Sequence, residues 1–113
     1  MQYVSSFFSK DDSLDHYESY LTVGPIVSAV GDIQHISIVI KIGLRDAGLE
    51  KKFAKMDPII TSEILDFLNS KEARKYMLTR NFDGLKSQLT DIVKNILNHK
   101  AVGEVFFTEL YFY

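Results

Sequence analysis

Read for its alternation of apolar and polar positions, the chain divides into a β-rich first third, a helical middle and a strongly apolar end. Gln34, Ile36, Ile38, Ile40, Ile42 and Leu44 fall at every second position, as one face of a strand does. Ile33, His35, Ser37, Val39, Lys41 and Gly43 make a mixed opposite face, so one side is predicted to be core and the other to meet water. Val23 to Val30 is β-rich too, and Gly31-Asp32 between the two runs has the residue order of a type II′ hairpin turn. A two-residue loop sets Val27 opposite Ile36, Pro25 opposite Ile38, Ser28 opposite His35 and Ile26 opposite Ser37. Pro25 cannot donate to a ladder, which places this first strand at an edge or puts Pro25 near its start.

From Asp46 the period changes to that of a helix. Asp46 is a cap candidate, with Leu49, Phe53 and Met56 following at helical spacing. Asp57-Pro58 either opens a second helix capped by Asp57 or kinks one long helix, and Ile60, Ile64, Phe67 and Leu68 give it a buried stripe that ends at Asn69-Ser70. Lys71 to Leu78 reads as a short helix or turn. Asn81 is a candidate cap for the last helix, in which Phe82, Leu85, Leu89, Ile92, Val93, Ile96 and Leu97 form the clearest amphipathic stripe. His99 and Lys100 close it where cations suit the helix dipole, and Gly103 is expected to turn the chain into the final strand.

That strand, Val105 to Tyr113, holds five aromatics in nine residues, and both of its alternating faces are largely apolar. It is predicted to be enclosed, either by helices and the neighbouring strand 33–44 or by another protein chain, because an open apolar edge aggregates. The predicted fold is α+β: a small antiparallel or mixed sheet, built from the hairpin and the C-terminal strand, covered by helices. Residues 1–19 form a lead-in segment to a domain spanning 20–113. Tyr3, Val4, Phe7 and Phe8 have the spacing of a short helical stripe, and a loosely held terminus is the simpler account of them.

Composition narrows the function more than the fold. With 113 residues, 46% hydrophobic and 25% charged, the chain is one globular domain with a single modest core. Its net charge of −2, with both signs interspersed, shows no basic footprint for nucleic acid or anionic lipid. Cysteine is absent, so disulfides and thiolate metal sites are excluded. No apolar run reaches the ~18 residues of a membrane span, so any membrane attachment is expected to lie outside these residues.

Candidate chemistry is thin. His16, His35 and His99 fall in three different elements without ligand spacing, so no metal or cofactor site is predicted. Asp11, Asp12, Asp15 and Glu18 cluster in the polar lead-in, where a solvated patch is the simpler reading than an acid-base pair. Glu109 interrupts the apolar final strand; since burying it unpaired is costly, it is expected at a rim, beside a lysine or against a neighbouring subunit. Ser37 and Ser70 lack a nucleophile elbow, and the six glycines are too dispersed for a phosphate loop. Tyr111, Phe112 and Tyr113 have no basic residues among them, so strand packing explains them better than base stacking. No catalytic residue is predicted.

Four stretches in order carry a resemblance. Tyr20-Leu21-Thr22-Val23-Gly24-Pro25-Ile26-Val27, Pro58-Ile59-Ile60 with Ile64-Leu65 and Leu68, Ile92 to Leu97, and Val102-Gly103-Glu104-Val105-Phe106-Phe107-Thr108-Glu109-Leu110 resemble successive motifs of the periplasmic domain of the flagellar basal-body-associated FliL family. Thr61-Ser62 stands where the family usually has Arg-Asp, and Tyr111-Phe112-Tyr113 where it usually ends in Val-Gln, the marks of a divergent member. The resemblance implies a stomatin/prohibitin-like (SPFH) fold and a single-pass inner-membrane protein whose transmembrane helix precedes residue 1. It also implies a ring-like homo-oligomer around the stator units of the flagellar motor. That ring supports stator activation and torque through the peptidoglycan-anchored B subunit, with no catalysis and no cofactor. On this reading Tyr3, Phe7, Phe8, Glu109, Tyr111 and Tyr113 are the candidate contact residues. The alternative is a periplasmic or secreted binding module for a small apolar ligand or glycan.

Overall fold

The computed structural model describes residues 2–3, 17–30, 34–97 and 100–113. In chain order the elements are β1 (Gln2–Tyr3), β2 (Ser19–Val30), β3 (Gln34–Leu44), a 3-10 turn at Ala47–Leu49, α1 (Glu50–Ala54), α2 (Asp57–Leu68), α3 (Lys71–Leu78), α4 (Phe82–Ile96) and β4 (Val102–Phe112). The strands form one sheet in the order β1-β4-β3-β2, with every pair antiparallel. The expected α+β class and the placing of the final strand beside the central one both hold.

The alternating run behaves as its spacing requires. Ile36, Ile38, Ile40, Ile42 and Leu44 are fully buried on one face of β3, against Ile60, Ile64 and Leu68 of α2 and Leu85, Leu89 and Val93 of α4. Each such side chain contributes about 1.5–3 kcal/mol by leaving water, so this layer is the main source of stability.

The hairpin departs from its expected register by one residue. Val27 lies opposite Ser37, Ser28 opposite Ile36, Ile26 opposite Ile38 and Ala29 opposite His35, and the Val30–Gln34 pair leaves a three-residue connection. The connection itself, residues 31–33, is outside the described residues. The physical reason lies further down the strand. Leu21 and Val23 are buried at odd positions, whereas Ile26, Ser28 and Val30 are buried at even ones. Both sets reach the same face only because a bulge between Val23 and Ile26 inserts a residue and switches the parity. Gly24, at φ +124, supplies the backbone that this bulge needs, and a Cβ there would come within 2.8 Å of the Ile38 carbonyl oxygen.

β4 uses the same device. Phe107 pairs with Ile40, but Glu109 pairs with Val39, so the buried parity passes from Val105 and Phe107 to Leu110 and Phe112. This explains why the strand looked apolar on both faces.

The helices start largely where polar residues allow. The Asp46 carboxylate accepts from the Gly48 N–H (2.9 Å), the Ser70 hydroxyl from the Ala73 N–H (3.1 Å) and the Asn81 side chain from the Gly84 N–H (3.0 Å). At Asp57-Pro58 the chain opens a second helix, but the cap position is Met56 and Asp57 already lies within the first turn. Lys71–Leu78 is a helix and not a turn. Gly103 lies inside β4 instead of turning into it, and His99 is outside the described residues.

α3 ends with Arg80 at φ 57, while the Asn81 N–H donates to the Tyr76 carbonyl (2.9 Å) and the Arg80 N–H to that of Met77 (3.2 Å). This double bond pattern places a left-handed residue just past the helix, a position that favours glycine. Arg80→Ala is therefore expected to cost about 1 kcal/mol more than Arg80→Gly. Thermal denaturation of the two variants measures that difference, since both lose the side chain equally.

Candidate functional site

With the helices packed on one side, the other side of the sheet is the candidate surface. It has two regions. Near the end where β2 passes into β3, Val27, Ala29, His35, Ser37, Tyr111 and Tyr113 face outward, joined along β4 by Glu109 opposite Val39. Val27 and Tyr113, large side chains on this same face, are each 47% exposed.

The chain end is held firmly there. The Tyr113 N–H donates to the His35 carbonyl (3.0 Å) and the His35 N–H to the Tyr113 carbonyl (2.6 Å), and the two rings stack with centroids 5.5 Å apart. Tyr3 joins through its backbone, paired with Tyr111. Glu109 is exposed on the open face and Tyr111 is half-buried. Four of the six expected contact residues, Tyr3, Glu109, Tyr111 and Tyr113, therefore gather on β1 and the end of β4. Phe7 and Phe8 lie outside the described residues.

At the other end of the sheet this face is closed by Tyr17, which by sequence lies in the lead-in segment 1–19. Its ring lies on Gly43 and Gly103, neighbours across β3 and β4, and a Cβ on either would overlap it. Tyr20 and Phe106 meet it edge-on, each 6.1 Å away, and the Arg45 guanidinium sits 5.6 Å from its centroid. Phe106 is thereby buried although it points away from the main core, with the Lys86 ammonium 4.8 Å from its ring and 3.1 Å from the Glu104 carboxylate. The residues just after Tyr17 are tied to the end of β3, the 3-10 turn and α1. The Glu18 N–H donates to the Leu44 carbonyl (3.0 Å), the Ala47 N–H to the Glu18 carboxylate (3.3 Å) and the Ser19 hydroxyl to Glu50. Burial pushes the Tyr17 phenol above its ordinary pKa, and the Glu104 charge adds to the shift. A signal did exist in the sequence: two glycines at matching places in adjacent strands leave a gap that an aromatic ring fills.

Elsewhere, α4 and β4 form an open groove of about 400 Å³ whose walls alternate in charge between Lys86, Lys94, Asp91 and Glu104, a lining that does not suit an apolar ligand. Among the described residues no three His, Asp or Glu converge as metal ligands, and no helix is long and apolar enough to cross a membrane. His35 is exposed and occupied with Tyr113; His16 and His99 are outside the described residues.

Among the described residues, this face carries aromatic, aliphatic and a few polar side chains, with no set of converging metal ligands. No curated protein matches the chain. Across residues 20–112, from the strand that follows Tyr17 to the last paired residue of β4, it matches the family described as flagellar basal body-associated protein FliL. The chain therefore belongs to the FliL family, a non-catalytic family of flagellar basal-body proteins with a role in motility.

Proposed function

We propose that this domain is the periplasmic part of a single-pass inner-membrane protein that assembles with copies of itself into a ring around the stator units of the flagellar motor. In this role it steadies the periplasmic portion of the peptidoglycan-anchored stator subunit, so that the stator conducts ions and transmits torque. The membrane helix precedes residue 1, and residues 1–19 lead from it into the domain. A stomatin/prohibitin-like arrangement of sheet and helices suits such an assembly.

The observation that carries the reading is the asymmetry of the sheet. One face is sealed by helices, while the outer face presents Val27 and Tyr113 half exposed beside Tyr111 and Glu109. A ring needs two different patches that meet head to tail, and this face supplies one of them. Tyr3, Phe7, Phe8, Glu109, Tyr111 and Tyr113 are assigned to it.

The full-length protein is expected to fractionate with membranes and to run as an oligomer after detergent extraction. Val27→Asp with Tyr113→Asp should shift it towards monomer while changing stability by less than about 1 kcal/mol, as expected of exposed positions. Cells lacking the gene should still build filaments but swim poorly in viscous medium. A full-length protein that stays monomeric at every concentration, or a deletion strain that swims normally under load, would sink the reading.

A further inference from the structure

The charges interspersed along the sequence are sorted by the fold. On α3, Lys71, Arg74, Lys75 and Leu78 stand at i, i+3, i+4 and i+7, which places them in one stripe of the helix. All four are exposed, Leu78 to 65%, while Ala73 and Met77 on the opposite side are buried. The single acid of the helix, Glu72, lies beside the stripe and not within it. Three cations flanking an exposed leucine form a pattern suited to the headgroup region of a membrane, with the leucine entering and the cations meeting phosphates.

The position of α3 matters as much as its composition. Both of its ends are fixed to the end of the sheet where β2 passes into β3. Before it, the Asn69 side chain accepts from the Ser28 hydroxyl (2.9 Å); after it, the Arg80 guanidinium sits 4.2 Å from the Phe112 ring. The start of the chain is at this same end, because Gln2 pairs with Phe112. Sequence order alone hides this, since residue 17 lies at the far end of a body 42 Å long.

From this juxtaposition we infer that the Lys71-Arg74-Lys75-Leu78 stripe is a contact for an anionic phospholipid surface, holding the domain against the leaflet from which its chain emerges. The inference rests on the proposed upstream membrane helix, which would bring lipid headgroups to the end where Gln2 lies. It goes beyond that reading by making the domain itself a lipid-binding body with a fixed tilt. Each cation near a charged leaflet strengthens binding, and the effect fades with salt over a Debye length.

The test is co-sedimentation of the 113-residue chain with vesicles. Wild type should pellet with phosphatidylglycerol-containing vesicles at low salt, not with phosphatidylcholine alone, and should be released by high salt. The triple variant Lys71→Gln, Arg74→Gln, Lys75→Gln should bind on the order of a hundredfold more weakly, and Leu78→Ser should weaken binding with all the charges intact. A control triple variant on α1 and its C-cap, Lys51→Gln, Lys52→Gln, Lys55→Gln, changes charge equally at the other end of the sheet and should retain binding. Circular dichroism confirms that each variant is folded. Wild type that ignores phosphatidylglycerol, an α3 variant that binds like wild type, or a control that loses as much would each overturn the inference. Failure of the ring reading is distinguishable, because it appears as full-length protein outside the membrane fraction or persistently monomeric, whatever the vesicles show.

Discussion

Phe112→Ala is expected to destabilise the domain by about 3–5 kcal/mol, the usual range for deleting a buried phenylalanine. Phe112 is 2% exposed, with the Phe82 ring 6.0 Å away and the Arg80 guanidinium at 4.2 Å, and its backbone pairs with both Gln2 and Ile36. Removing the ring opens a cavity between α4 and the sheet and unpins the residue that leads into α4. Against the 5–15 kcal/mol of a typical small domain, that is about a fifth of the total or more. Denaturant titration by circular dichroism measures it, with Tyr113→Ala as the comparison. Tyr113 is half exposed and stacks only on His35 among the ring contacts described, so its truncation should cost no more than about 1 kcal/mol. Equal losses at the two positions would mean that this end of the sheet is not closed by Phe112.

Gly103→Ala is expected to cost about 2–3 kcal/mol, and most of that cost should vanish when Tyr17 is also alanine. A methyl at position 103 occupies the space of the Tyr17 ring, and the ring is walled by Tyr20 and Phe106, so overpacking has little room to relax. The double-mutant cycle isolates this contact, and an interaction energy near zero would show that Tyr17 does not lie on the glycines. Titration offers a second check. The folded-state pKa of Tyr17 is raised above the model-compound value of 10.0, so the fold favours the neutral phenol. Its contribution is therefore complete below the unfolded-state pKa and is lost as pH rises through the folded one. Wild type should lose stability above about pH 10 more steeply than Tyr17→Phe, in which this phenol cannot ionise.

The parts of the fold legible in the sequence were those governed by a single period. The run from Ile36 to Leu44 and the stripe Phe82, Leu85, Leu89, Val93 are buried as their spacing required, and Asp46 and Asn81 cap as their side chains allow. Where two periods are spliced, the reading slipped. Pro25 reads as the mark of an edge strand or of a strand's start, although the odd-to-even change from Val23 to Ile26 also encodes a bulge, and the register moves by one residue. Thr108 hides a second splice within the apolar β4.

The candidate surface was legible in part. Glu109, Tyr111 and Tyr113 share the outer face because strand alternation places them there. Tyr17 was missed because it acts through two glycines far away in sequence, and glycines leave no hydrophobic signal. The basic stripe of α3 was missed for a related reason. Its cations are diluted by Glu72, Ala73, Tyr76 and Met77 along the chain and come together only at helical spacing.

The bulge in β2 also governs what the free edge of the sheet can pair with. β2 is an outermost strand of twelve residues, long enough to recruit a neighbour's backbone rung by rung. Gly24 and Pro25 divide it: Pro25 has no N–H, and the bulge turns the lower half out of line with the upper. Neither half offers a straight row of donors and acceptors long enough to nucleate a continuous intermolecular ladder. Backbone pairing along this edge is therefore confined to a short stretch on either side of the bulge, which protects the domain from the strand-by-strand stacking that lengthens into fibres.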